Sequence, residues 1–108
     1  MITANTHVSK QLTKFGDAVR ANYGSRLARL VIFGSQARGD FTAGSDCDLA
    51  VFLHDLVDRQ FEIGRLLEIE RRVFRDSGPI LDVVVLPASA WNERTTFMHE
   101  VRREGREL

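Results

Sequence analysis

The stretch from Val31 to Leu53 constrains this chain more than any other. Val31-Ile32-Phe33 closes an apolar run, Gly34-Ser35 follows, and ten residues later Asp46-Cys47-Asp48 leads into a second apolar run ending at Leu53. Runs rich in Leu, Val and Ile and bounded by glycine and serine predict buried strands, here Leu27 to Phe33 and Asp48 to Leu53. Ser35 to Arg38 predicts a short helix whose first amides are free to meet an anion. Gly39 and Gly44 punctuate the loop between. The segment reads as a phosphate-gripping turn followed by a metal-gripping strand.

The flanking sequence supplies the layers such strands need. Val8, Leu12, Phe15 and Val19 recur at helical spacing, predicting a helix from about Thr6 to Asn22, with Gly24 just beyond its end. Ile63, Leu66, Leu67, Val73 and Phe74 predict a second helix between Asp58 and Asp76. Its charges, Arg59, Glu62, Arg65, Glu68, Arg72 and Arg75, are expected on a solvated face. Ser77-Gly78-Pro79 ends that helix, and Ile80 to Leu86 predicts a third strand with Asp82 inside it. Phe97, Val101 and Leu108 share a helical face, so a last helix is expected from about Thr95. Trp91, Phe97 and Met98 fit either core or interface. The order predicts an α/β fold in one domain, residues 1–108, with a small three- or four-stranded mixed sheet packed with helices.

Charge and cysteine content narrow the setting. Fifteen acidic and fifteen basic residues balance, which argues against a general nucleic-acid coat. The single cysteine, Cys47, excludes an intrachain disulfide and suits a reducing cytosol. The N-terminus has no basic-then-apolar leader, and no apolar run approaches the ~20 residues of a membrane helix. A cytoplasmic protein is expected.

Asp46 and Asp48 carry the first chemical signal. Two apart in a strand, they share a face, with Cα atoms roughly 7 Å apart at ~3.4 Å rise per residue. Carboxylates so placed can share two Mg²⁺ ions, as two-metal phosphoryl chemistry requires, and hard oxygen ligands favour Mg²⁺ or Mn²⁺ over Zn²⁺. Cys47 then points to the core. Asp82 is costly to bury unpaired. A metal shared with Asp46 and Asp48 would compensate it, as would a salt bridge or a solvent-open strand end. Gly34 lets a phosphate approach the backbone, Ser35 adds a hydroxyl, and Arg38 can offset phosphate charge. Taken alone, Gly34-Ser35 is also an ordinary turn with a helix cap. His7, His54 and His99 make no metal-ligand spacing and are read as surface or loop residues. No Walker-type glycine-rich lysine motif is present.

Together these residues resemble a known family. Gly34-Ser35, ten residues, then Asp46-Cys47-Asp48 is similar to the signature of the DNA polymerase β-like nucleotidyltransferase superfamily. The extended form Gly34-Ser35-Gln36-Ala37-Arg38-Gly39 resembles its minimal branch, the MNT antitoxins encoded beside HEPN-domain toxins. Phe97 to Leu108 resembles that branch's ending. The resemblance implies that Gly34 and Ser35, with Arg38, bind the nucleotide's phosphates. It implies that Asp46, Asp48 and Asp82 bind two Mg²⁺ ions, Asp82 also helping the acceptor hydroxyl lose its proton. It further implies ATP as nucleotide donor and transfer of AMP to a tyrosine of a partner HEPN ribonuclease toxin. Larger relatives add a second domain that grips base or acceptor; this chain is expected to rely on a partner or a further copy instead. Two other functions stay open at this point: an idle antitoxin that neutralises its toxin by binding alone, and a small-molecule (antibiotic) nucleotidyltransferase.

Overall fold

The computed structural model describes residues 3–34, 46–75 and 78–108. Helix α1 (Thr3–Tyr23) leads through a 3₁₀ turn (Gly24–Arg26) into β1 (Leu27–Phe33). Then come β2 (Asp46–Leu53), α2 (Arg59–Phe74), β3 (Ile80–Pro87), a second 3₁₀ turn (Ala88–Asn92), α3 (Thr96–Glu104) and β4 (Arg106–Glu107). The mixed four-stranded sheet has the order β3-β2-β1-β4. β1 runs antiparallel to β2 and β4, and β2 runs parallel to β3. Parallel pairing of β2 and β3 requires a crossover, and α2 is that crossover.

Each face of the sheet buries its own cluster. Alternate residues of β2, Cys47, Leu49, Val51 and Leu53, meet Leu12, Phe15, Val19 and Tyr23 of α1 and Leu66, Ile69 and Phe74 of α2. Cys47 is fully buried there, as the alternation predicted. The intervening residues Ala50 and Phe52 join Val31, Ala90, Met98 and Val101 on the opposite face, beneath α3. Trp91 packs edge-on against Phe52 at 5.5 Å. Trp91 and Met98 therefore serve the core. Asp58 caps α2 by accepting the Phe61 N–H, and Thr95 caps α3 by accepting the Met98 N–H.

Two expectations need correction. The last helix does not run to the end of the chain. It stops at Glu104, Arg106–Glu107 pairs with β1, and the Leu108 N–H donates to the Leu30 carbonyl. Leu108 accordingly packs with the α1/α2 cluster rather than sharing a helical face with Phe97 and Val101. The open edge of β1 offers backbone partners that a further helical turn would leave unused. The second correction is Glu62. It is not on a solvated face but buried at 4 % exposure. It accepts from the Tyr23 hydroxyl at 2.9 Å and from the Arg26 guanidinium at 2.9 Å. Arg26 and Arg65 lie over the Tyr23 ring. This polar knot joins the C-terminal end of α1 to α2. Leu67, one of the apolar residues whose spacing predicted α2, is half-exposed.

Candidate active site

The sheet register brings the chemistry together. Phe33 on β1 faces Asp48 on β2, and Asp48 faces Asp82 on β3. Residues in register on neighbouring strands, about 4.8 Å apart, present side chains to one face. Phe33, Asp48 and Asp82 thus form a row across three strands. Asp46 opens β2 opposite Ile80, two positions from Asp48 and therefore on the same face. The face is the one that carries Ala50, Phe52 and α3.

Gly34 ties the turn to this row. Its φ is +78°, a left-handed conformation that glycine adopts without penalty. A β-carbon built there would lie 2.5 Å from Asp48 Oδ2. The Asp48 carboxylate thus occupies the space a side chain at position 34 would need. The glycine expected to admit a phosphate also admits a carboxylate.

Asp82 stands in the expected row but is exposed, not buried. Burial cost is therefore not what demands a partner for it; its register opposite Asp48 is what places it at the site. Ser35 and Arg38 lie outside the described residues, as does the short helix expected there. Asp46 is described by its backbone position. Among the described residues no set of three His, Cys, Asp or Glu side chains forms a metal cluster. His54 and His99 are exposed, as read from the sequence.

Sequence reasoning missed an aromatic pair at the edge of this row. Phe97, near the start of α3, packs edge-on against Phe33 with ring centres 5.6 Å apart and planes at 87°. Phe97 nonetheless keeps 39 % of its surface exposed. The available signal was an aromatic residue immediately preceding Gly34-Ser35.

Two perturbed groups lie elsewhere. Burial, reinforced by the hydrogen bond to Glu62, raises the Tyr23 hydroxyl far above its ordinary range. Glu70 sits in an open cavity of about 390 Å³ lined by Leu67, Phe74 and Gly78, and burial raises its pKa. Among the described residues, Glu70 Oε1 has no hydrogen-bond partner.

With the geometry in place, known proteins supply the family. Residues 12–103 match the nucleotidyltransferase domain model. The chain belongs to the nucleotidyltransferase domain family. This nucleotidyltransferase domain is 26 % identical over 101 residues to a Methanocaldococcus jannaschii protein named "Putative protein adenylyltransferase", covering 92 % of this chain and 95 % of that one. Its fold matches a chain of the crystal structure of a toxin-antitoxin with AMP-PNP at a TM-score of 0.58 and 21 % identity, covering 91 % of this chain and 69 % of that one. It also matches spectinomycin adenyltransferase AAD(9) from Enterococcus faecialis, with ATP and spectinomycin, at a TM-score of 0.64 and 15 % identity. That match covers 82 % of this chain but 38 % of the other. No described helix is long and apolar enough to cross a membrane.

Proposed function

We propose that this nucleotidyltransferase domain is a cytoplasmic, Mg²⁺-dependent protein adenylyltransferase that acts as an antitoxin. It transfers AMP from ATP to a tyrosine of a cognate HEPN-domain ribonuclease toxin and releases pyrophosphate. The observation that carries this reading is the register of Asp48 opposite Asp82 beside the left-handed Gly34. Carboxylate oxygens on adjacent strands are the donors Mg²⁺ takes and Zn²⁺ does not favour.

Asp46, Asp48 and Asp82 would hold the metal, and Gly34, Ser35 and Arg38 would hold the phosphates. Bound there, Mg²⁺ supplies neutralisation of the leaving pyrophosphate and a lower pKa for the acceptor hydroxyl. The tyrosine oxygen bonds to the α-phosphorus, the bond from that phosphorus to the bridging oxygen breaks, and Asp82 takes the hydroxyl proton. A protein acceptor is favoured by the relative of nearly equal length, covered over 95 % of its chain. The match to the spectinomycin enzyme covers too little of that protein to favour a small-molecule acceptor.

The test mixes the protein with ATP, Mg²⁺ and the product of the adjacent gene. The expected outcome is a mass gain of one or more AMP on that product, abolished by Asp48→Asn. No gain, or a gain that survives the substitution, contradicts the proposal.

A further inference from the structure

A nucleotide held by its phosphates alone leaves its base unaccounted for. Among the described residues, the aromatic surface adjoining the carboxylate row is the Phe33–Phe97 pair. Phe33 is Asp48's register partner and immediately precedes Gly34. Phe97 stands edge-on to it at 5.6 Å, at the N-terminal end of α3. The neighbours of Phe97 on α3, Met98 and Val101, are buried at 1 % and 0 %, whereas Phe97 is 39 % exposed. Core packing accounts for those two residues and leaves part of the Phe97 ring in solvent. An aromatic ring so placed, two side chains from Asp48, lies within reach of the nucleoside end of a molecule whose phosphates meet Gly34.

We infer that Phe97, braced edge-on by Phe33, is the stacking platform for the nucleobase of the bound nucleoside triphosphate. The inference rests on the nucleotide-transfer reading and adds the subsite which that reading lacks. Stacking uses the π-face that every base has, so the platform holds the base without choosing among bases. Phe33 acts as a positioning residue: its edge contact fixes the tilt of the Phe97 ring. The Thr95 cap on the Met98 N–H, at 3.1 Å, fixes the first turn of the helix that carries it.

The experiment compares two ligands that differ by the nucleoside. Binding of ATP and of inorganic tripolyphosphate, each with Mg²⁺, is measured by calorimetry for the intact chain and for Phe97→Ala, Phe97→Leu and Phe97→Trp. Thermal melts confirm that each variant is folded. Alanine is expected to weaken ATP binding about tenfold, the order of a lost base–aromatic stack, and to leave tripolyphosphate unchanged. Tryptophan is expected to restore ATP binding; leucine, which keeps the apolar contact with Phe33 but has no π-face, is not. Equal losses for both ligands, no loss for ATP, or full rescue by leucine would overturn the inference. Failure of the unaltered chain to bind either ligand would instead remove the nucleotide-transfer reading beneath it.

Discussion

Gly34→Ala separates backbone strain from site geometry, because the same chain contains its control. Gly34 and Gly24 both have positive φ, +78° and +55°. Alanine in that region costs about 1–2 kcal/mol. A β-carbon at Gly24 meets nothing within 4 Å, whereas one at Gly34 lies 2.5 Å from Asp48 Oδ2. Ordinary contact begins at 3.4 Å, so the Asp48 carboxylate must retreat by 3.4 − 2.5 = 0.9 Å. A displacement of that size at a reacting centre can lower a rate on the order of 100-fold. Both alanine variants should therefore lose about 1–2 kcal/mol in urea denaturation. Only Gly34→Ala should lose nucleotidyl transfer by roughly two orders of magnitude, while Gly24→Ala transfers at the normal rate. The readout is the initial rate of AMP incorporation from labelled ATP at a temperature where both variants are fully folded. Full activity in Gly34→Ala, or equal losses in the two variants, would refute the link between that turn and Asp48.

Other consequences follow from the second face and the helix ends. Glu62→Gln should lower stability by about 2 kcal/mol, the order of a hydrogen bond to a charged group, since the Arg26 guanidinium loses its anionic partner; equilibrium denaturation measures it. Tyr23 has a raised pKa in the folded state, so the folded chain keeps that proton while the unfolded chain releases it above the ordinary value of 10.0. Stability from this group is thus complete below pH 10.0 and falls as pH rises beyond it; Tyr23→Phe should flatten that alkaline decline. Glu70, also raised, has the same sign in a lower pH window: its burial cost is absent below the ordinary value of 4.5 and present at neutral pH. Glu70→Gln should therefore raise the melting temperature at pH 7 and leave it unchanged in acid below 4.5.

Local signals made much of this legible. β1 was readable at Leu27–Phe33 because a branched apolar run between two glycine–serine pairs has few other conformations open to it. Alternation along β2 correctly sent Cys47 to one face and Asp48 to the other. What alternation does not contain is register: the pairing of Asp48 with Asp82 spans the whole of α2 and depends on how that crossover lies on the sheet. Glu62 was misread for the same reason, because its burial comes from Tyr23 and Arg26 on another part of the chain. Helical spacing at Leu108 misled because the unpaired edge of β1 recruits the end of the chain as a strand. Phe97 was ambiguous between core and interface until its ring contact with Phe33 was known.

The claim beneath the whole account is that Asp46, Asp48 and Asp82 act as one metal-binding set. Titration of the chain with Mn²⁺ in the presence of a non-hydrolysable ATP analogue, followed by electron paramagnetic resonance, counts the ions directly. The account predicts two ions for the unaltered chain and the loss of at least one in Asp82→Asn. Two ions bound with undiminished affinity in Asp82→Asn would contradict it.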